Sequence, residues 1–178
     1  MKIIISVIFL IFGSFADNEA IIKEIKHNYS LIKSSLHQMK QKTIELQDMS
    51  TEGGEAKVYK DCSGHIRLIA SELYGESGKV LEEYYFNNDS LLFVYSETHI
   101  YNVPMYVDSS MAKESGGEPF DPKKTKVSKQ RFYFSANKMI RWIGPDNKHV
   151  SPCPEYADRE KEILEFTKKL VELVRNKT

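Results

Sequence analysis

Two cysteines and two histidines form the most reactive set of side chains in this chain. They occur as Cys62-x-x-His65 and His149-x-x-x-Cys153. In an oxidising compartment two cysteines most simply form one disulfide, and a Cys62–Cys153 bond would close a loop of about 90 residues. As ligands, the four side chains make a Cys2His2 set that tetrahedral zinc accepts, although the long segment between the two halves is unlike a zinc finger. A structural disulfide is the first interpretation, unpaired cysteines the second and a metal site the third.

The disulfide depends on which end of the sheet the chain reaches after Trp142. If Pro104 reverses the chain and 105–108 starts a separate strand, Cys153 returns to the end of the sheet that carries Cys62. If 100–108 continues the previous strand around a bulge, Cys153 starts from the opposite end. We favour the reversal.

No catalytic motif stands out elsewhere in the chain. Ser-x-x-Lys occurs three times, from Ser30, Ser110 and Ser135, without the companion motifs of the penicillin-binding enzymes. Glu82 and Glu83 cannot act as an acid and base pair, because neighbouring strand residues point to opposite faces of a sheet. The chain is predicted to be a non-enzyme without a cofactor, and the alternative is a hydrolase whose site is dispersed in the sequence.

Aromatic and basic residues on the predicted strands are the candidate binding surface. By strand alternation Tyr85 faces away from Tyr84, and Arg131 and Tyr133 share a side. If both helices cover one face of the sheet, then Tyr85, Arg131, Tyr133 and Arg141 form an open patch of residue types that are enriched in binding hot spots. The alternative interpretation is ordinary cross-strand pairing on a half-solvated sheet.

A polar segment over 108–124 interrupts the strands and is predicted to be an exposed loop. It contains Gly116-Gly117 together with Pro119 and Pro122. Long loops inside compact domains are uncommon and are often functional. Phe120 stands alone among polar neighbours there, so it either anchors the loop to the core or offers a contact.

The first sixteen residues are predicted to be a signal peptide. Lys2 precedes an apolar run over 3–12, and Ser14-Phe15-Ala16 forms a small-x-small cleavage site before Asp17. The run is shorter than the roughly 20 apolar residues that span a bilayer, so no membrane span is expected. We therefore expect a periplasmic or secreted protein whose mature chain is a single domain over 17–178.

The charge balance argues against two classes of partner. The chain has 25 basic and 25 acidic residues, and loss of Lys2 with the leader would leave 24 against 25, a net charge of −1. Binding to nucleic acid or to an anionic membrane usually requires a clear positive excess. The expected partner is instead an unknown protein or a component of the cell envelope.

Apolar residues on a seven-residue grid predict a long N-terminal helix over 18–48. Ile22, Tyr29, Leu36 and Thr43 form one row, and the second row comprises Ile25, Ile32, Met39 and Leu46. Such a helix lies across a sheet or forms the seam of a coiled-coil dimer. We favour packing on the sheet, and hence a monomer.

Strand-like segments separated by turn signals follow over 56–143. The predicted strands are 56–61, 65–74, 79–87, 91–101, 127–134 and 138–143. Three turns share one pattern, in which an aromatic enters, Gly64, Asp89 or Asn137 adopts a positive φ, and an aliphatic leaves. The pattern indicates a meander of repeated hairpins, whose similarity reflects either hairpin geometry or a shared binding role.

The segment Glu83-Tyr84-Tyr85-Phe86-Asn87-Asn88-Asp89-Ser90-Leu91 carries a resemblance. It resembles uncharacterised exported bacterial proteins with repeated hairpins of the type Tyr-Tyr-Phe-x-x-Gly-x-Leu. In this chain Asp89 and Asn137 stand at the glycine position of the turn. The resemblance covers mainly residues 59–143 and implies no activity and no site residue.

A second amphipathic helix is predicted over 155–176, with acidic residues at its start and basic residues at its end, as the helix dipole favours. The expected fold is therefore α+β, an antiparallel meander of six or seven strands with a long N-terminal and a C-terminal helix packed on it. The expected function is that of an exported, non-catalytic binding protein. A carrier of an apolar ligand between sheet and helices is the other non-enzymatic alternative.

Overall fold

Two long helices lie on opposite faces of a seven-stranded antiparallel sheet in a computed structural model that describes residues 13–47 and 49–177. The strands neighbour one another in chain order, so the sheet is a simple meander. The predicted α+β meander with two helices is thereby confirmed. The elements in chain order are α1 (Gly13–Ser35), a 3-10 turn (Leu36–Gln38), β1 (Lys40–Glu45), β2 (Gly54–Lys60), β3 (Ile66–Gly75), β4 (Gly78–Asn87), β5 (Ser90–Ile100), α2 (Ser109–Ser115), a second 3-10 turn (Pro122–Lys124), β6 (Lys126–Ser135), β7 (Lys138–Ile143) and α3 (Pro154–Asn176).

The N-terminal helix is shorter than the predicted 18–48. Near its end the hydroxyls of Ser34 and Ser35 donate to the carbonyl of Leu31 at 2.9 and 2.8 Å, a side-chain bond that competes with the regular helix ladder. The following residues pair with β2 as an edge strand, in which Ile44 is buried. Pairing along β2 and burial of Ile44 override the helical periodicity.

Each helix covers its own face of the sheet, so the condition for an open patch, that both helices lie on one face, is not met. The α3 face of the sheet carries Tyr84, Phe86, Phe132 and Phe134, and the α1 face carries Tyr85, Phe93 and Tyr133. Aromatic residues on both sides of the same strands leave two apolar faces, and each needs a cover. Both helices begin beside β7, which Glu19 of α1 and Tyr156 of α3 contact. Helix α3 ends beside β1, where Lys177 donates to the carbonyl of Glu45, and α1 leads through the 3-10 turn into β1.

The three predicted hairpin turns lie at one end of the sheet. Gly64, Asp89 and Asn137 have φ values of 86°, 61° and 59°, which confirms the predicted positive φ at each turn. A register shift also precedes each turn, beside Tyr59, Tyr85 and Tyr133. The repeated sequence pattern thus corresponds to three hairpins of similar backbone geometry.

The predicted signal peptide over 1–16 lies mostly outside the described residues. Within the described part, helix α1 begins at Gly13. No helix in that part has both the length and the apolar composition that crossing a bilayer requires.

Candidate functional site

An open groove beside α1, of about 470 Å³, brings together aromatic and charged side chains from the helix and the sheet. We call it the α1 groove. A helix about 10 Å wide cannot cover strands of ten residues, which are roughly 33 Å long. Part of the face therefore stays open next to the helix. The groove is lined by Ile25, Lys26, Tyr29, Lys33, Glu83, Phe93, Tyr95, Arg131 and Tyr133.

Helix α1 supplies one wall of the groove at helical spacing. Lys26, Tyr29 and Lys33 follow one another at i, i+3 and i+7, which places them on the same side of the helix. The ring of Tyr29 packs edge-on against Tyr85 and Phe93, with centroid distances of 4.9 and 5.5 Å. These contacts hold the helix on the sheet and leave the two lysines at the rim.

Strands β5 and β6 supply the floor of the groove. Phe93 lies opposite Tyr133, and Tyr95 lies opposite Arg131. The Phe93 and Tyr133 rings are 5.0 Å apart, so the aromatic floor is continuous across the two strands. The Arg131 guanidinium donates to the Asn147 side chain at 2.9 Å, a neutral acceptor that fixes its position without removing its charge.

The charges of the groove do not balance. Glu83 accepts hydrogen bonds from Lys33 at 2.8 Å and from the Tyr85 hydroxyl at 2.6 Å, so its charge is matched by Lys33. Among the described residues the Lys26 ammonium makes no ion pair or hydrogen bond, and the nearby Glu19 carboxylate is bonded to Arg141. Lys26 and Arg131 therefore leave an excess of positive charge in the groove.

Tyr85 and Tyr133, beside the groove, are held in their neutral form. Burial, reinforced by the Glu83 carboxylate that accepts its hydrogen bond, raises the pKa of Tyr85 far above its usual value. Burial also raises the pKa of Tyr133, against the opposing effect of Arg131 and Arg141. A neutral phenol donates hydrogen bonds and offers an apolar ring, but it is a poor nucleophile or base. The arrangement therefore suits binding better than catalysis.

The residues of the predicted binding patch lie in different environments in the structure. Tyr85 and Tyr133 are only 1% and 7% exposed and lie under α1, so the prediction that they form an open surface is wrong. The cause is the second helix-covered face, which the patch was assumed to lack. Arg131 and the edge of Tyr133 do line the α1 groove, whereas Arg141 lies outside it and pairs with Glu19.

Phe120 anchors its loop rather than offering a contact. Its ring lies against Tyr101 at 5.2 Å, and its backbone N–H donates to Val107 at 2.9 Å. The loop itself contains α2, capped by Asp108, whose carboxylate accepts from the N–H groups of Ser110 and Met111. The segment over 108–124 is thus largely ordered by its own hydrogen bonds.

The cysteines are exposed and unpaired, contrary to the predicted disulfide. Cys62 lies in the β2–β3 turn, whereas Cys153 follows β7 and directly precedes α3, whose first turn contacts β7 through Tyr156. The lateral step from β3 to β7 alone is roughly 19 Å, against about 7 Å for bridged Cα atoms. The favoured reversal at Pro104, with a separate strand over 105–108, is wrong, because the described residues between β5 and β6 form only α2 and a 3-10 turn.

The zinc interpretation fails for the same topological reason. His65 lies with Cys62 in the β2–β3 turn, near Asp61 at 3.7 Å, while His149 bridges to Ile143 near the start of α3. Within the described residues no three metal-ligating side chains of His, Cys, Asp or Glu come together.

One titratable cluster lies on the open part of the α1 face. Glu97 accepts hydrogen bonds from Tyr95 at 2.7 Å and His99 at 2.8 Å, and it pairs with Lys129 at 3.4 Å. The Tyr95 bond, above all, lowers the pKa of Glu97. All three partners converge on one carboxylate, which leaves no activated nucleophile among them. Glu82 and Glu83 point to opposite faces as predicted, toward Arg159 and Lys33 respectively.

Sequence reasoning missed Lys26, Tyr29 and Lys33. Tyr29 belongs to the apolar row of the helix, as its ring contacts with Tyr85 and Phe93 show, but it also lines the groove. The recurring spacing of two lysines around an aromatic residue was the available signal, but it acquires meaning only once the helix position on the sheet is known.

Comparison with known proteins gives no further guide: no protein-family model, no curated protein and no solved structure matches this chain.

Proposed function

We propose that this protein is an exported, non-catalytic binding module whose α1 groove receives an acidic, aromatic-bearing segment of a partner protein. The observation that carries the proposal is the excess positive charge of Lys26 and Arg131 above an aromatic floor. Aromatic rings and arginine at the centre of a partly enclosed surface are the residue types that dominate binding energy. A carboxylate flanked by an aromatic side chain complements both features.

The groove is prepared for binding before a ligand arrives. Tyr29, Phe93 and Tyr133 are fixed by ring contacts, and Arg131 is fixed by Asn147. Side chains that are already ordered lose little conformational entropy on association. A partner segment therefore meets a rigid surface.

The apolar positions of α1 favour a monomeric module. Ile22, Ile25 and Ile32 are at most 3% exposed and pack on the sheet of the same chain. A coiled-coil seam would need these side chains for a second helix. We therefore propose a monomer, which sedimentation of the purified protein tests.

Titration with a short peptide that carries Asp on either side of Phe tests the proposed ligand class. Its counterpart with Asn in place of both Asp keeps the shape without the charge. The acidic peptide is expected to shift the backbone amide signals of Phe93, Tyr95 and Arg131 and to bind about tenfold more tightly than the Asn peptide. The difference should shrink in high salt, because exposed charges are screened.

Charge reversal on α1 provides the matched pair of variants. Lys26→Glu is expected to weaken binding of the acidic peptide about tenfold, whereas Lys23→Glu makes the same charge change on an exposed part of the helix outside the groove. Equal weakening by both variants would mean that only the net charge matters. Capture of a phosphate-rich envelope polymer or a lipid in preference to the peptide would replace the proposed ligand class.

A further inference from the structure

A second groove, of about 390 Å³, lies at the end of the sheet where β3 turns into β4, away from the α1 groove. We call it the end groove. Its walls include Tyr74, Tyr101, Met105 and Tyr106, and Glu52 and Glu76 line it as well. Neither lysine nor arginine is among the lining residues. The end groove therefore has the opposite charge character to the α1 groove.

The walls of the end groove are held in place by backbone hydrogen bonds. The N–H of Tyr101 donates to Ser77 at 2.9 Å, and the N–H of Met105 donates to Glu76 at 3.3 Å. The ring of Tyr101 is fixed against Phe120 at 5.2 Å. The segment after β5 is thereby fastened to the β3–β4 turn, and the groove between them is preformed.

The apolar groups in this groove are unusually exposed. Tyr74, Met105 and Tyr106 are 40%, 63% and 60% exposed. Single exposed apolar residues are ordinary, but a group that shares one concave surface marks a binding site. Three tyrosine rings are also electron-rich faces, which attract a cation placed over them.

The two carboxylates of the end groove favour a positively charged ligand. Among the described residues Glu52 and Glu76 make no ion pair, so their negative charge is not matched within the groove. Lys79 acts electrostatically on Tyr74 and Tyr101, but its ammonium is held by Glu72 at 2.6 Å. The positive charge that the end groove lacks must come from a ligand.

We propose that the end groove binds a methylated ammonium group, with the tyrosine rings around the methyl groups and the two carboxylates at the rim. A primary ammonium is strongly hydrated and would lose hydrogen bonds to water on entering the groove. The tyrosine rings and the Met105 thioether offer few hydrogen bonds to replace them. A fully methylated ammonium donates no hydrogen bonds, and it is attracted both by the tyrosine rings and by the negative charge of the two carboxylates. This site does not depend on the α1 groove having the proposed ligand.

Choline is the probe, and dimethylbutanol, in which carbon replaces the charged nitrogen, is its neutral counterpart. Choline is expected to produce saturable shifts of the backbone amide signals of Gly75 and Gly78, which line the groove. Its affinity should exceed that of dimethylbutanol and that of methylammonium by about tenfold. Equal affinity for choline and either counterpart, or no saturable shift, would overturn the proposal.

Exposed side chains allow variants that keep the fold. Tyr106→Ser is expected to weaken choline binding roughly three- to tenfold, while Tyr106→Phe keeps the ring and the affinity. Glu76→Gln should weaken choline binding and leave the affinity for dimethylbutanol unchanged. Val127→Ser is the control, since Val127 is 48% exposed and lies outside the groove. Unchanged choline affinity in both Tyr106→Ser and Glu76→Gln contradicts the proposed site.

Discussion

The carboxylate of Glu83 accepts hydrogen bonds from the Tyr85 hydroxyl and from Lys33 of α1. Glu83 therefore connects the buried Tyr85 to the groove beside α1. The side-chain direction of Tyr85 could be predicted from strand alternation alone. Its burial could not, because burial depends on which face α1 covers, and that is a property of the whole packing. The residues that remain available for binding are those at the margin of the helix.

Truncating Tyr85 tests its burial. Tyr85→Ser is expected to lower the free energy of unfolding by about 3–5 kcal/mol, because it leaves a cavity under α1. Tyr85→Phe should cost about 1 kcal/mol through the lost hydrogen bond to Glu83. Urea denaturation measures both. Tyr106→Ser, at an exposed position, should change stability by no more than about 0.5 kcal/mol. A Tyr85→Ser variant as stable as the native protein would show that this ring is not in the core.

Glu97, on the open part of the α1 face, makes the stability of the protein depend on pH. Hydrogen bonding from Tyr95, followed by His99 and Lys129, lowers the pKa of this carboxyl below its ordinary value of 4.5. The folded state therefore binds the proton less readily than the unfolded state. Its stabilising effect is complete above pH 4.5 and is lost as the pH falls through the lower folded pKa.

Glu97→Gln removes this contribution. The stability difference between the native protein and this variant is expected to be largest above pH 4.5 and to shrink at lower pH, as urea denaturation at a series of pH values measures. Glu165→Gln, on the exposed side of α3, provides the comparison. A difference for Glu97→Gln that does not vary with pH contradicts the assignment.

Among the elements, strands β2 to β7 and helix α3 lie close to their predicted ranges, whereas α1 is shorter than predicted and β1 was not predicted. Residues 39–46 continue the apolar grid of the helix, yet Ile44 and Leu46 also alternate as in a strand. Both patterns fit a short segment, and the edge of β2, with which these residues pair, decides between them. Local periodicity carries no information about that edge.

Ile44 distinguishes the two patterns, since it lies off the helical rows but is 4% exposed in β1. Ile44→Ala is expected to lower the free energy of unfolding by about 2–4 kcal/mol. Thr43→Ala, at the exposed neighbouring position, should change it by no more than about 0.5 kcal/mol. The opposite order of effects in denaturation experiments would favour a continuous helix.

The lateral separation of Cys62, in the β2–β3 turn, from Cys153, beside β7, predicts a protein that is insensitive to reductant. Its intact mass should be unchanged by reduction, and Cys62→Ser should leave the thermal midpoint as it was. A gain of about two mass units on reduction, together with a lower midpoint, would require a bond that this topology does not permit. Mass spectrometry under non-reducing conditions is the direct measurement.

In the whole molecule, the α1 groove and the end groove carry opposite charge, the first beside a helix and the second at the β3–β4 turn. The sequence predicted the class of fold because turn signals and alternation are local. It did not predict the grooves, since each combines residues that are distant in the chain: Lys26 with Arg131 in one, and Tyr74 with Tyr106 in the other. Sites of this kind arise where an element ends or fails to cover its neighbour.

Site-specific photo-crosslinking from α1 tests the central claim that the α1 groove is the binding site. A photoreactive side chain is placed at Lys26, in the groove, and in a second protein at Lys23, on the same helix outside it. In the compartment where the protein resides, we predict one defined adduct with an acidic partner from position 26 and none from position 23. Arg131→Glu should abolish that adduct without unfolding the protein. Equal adducts from both positions, or an adduct that persists in Arg131→Glu, would contradict the claim.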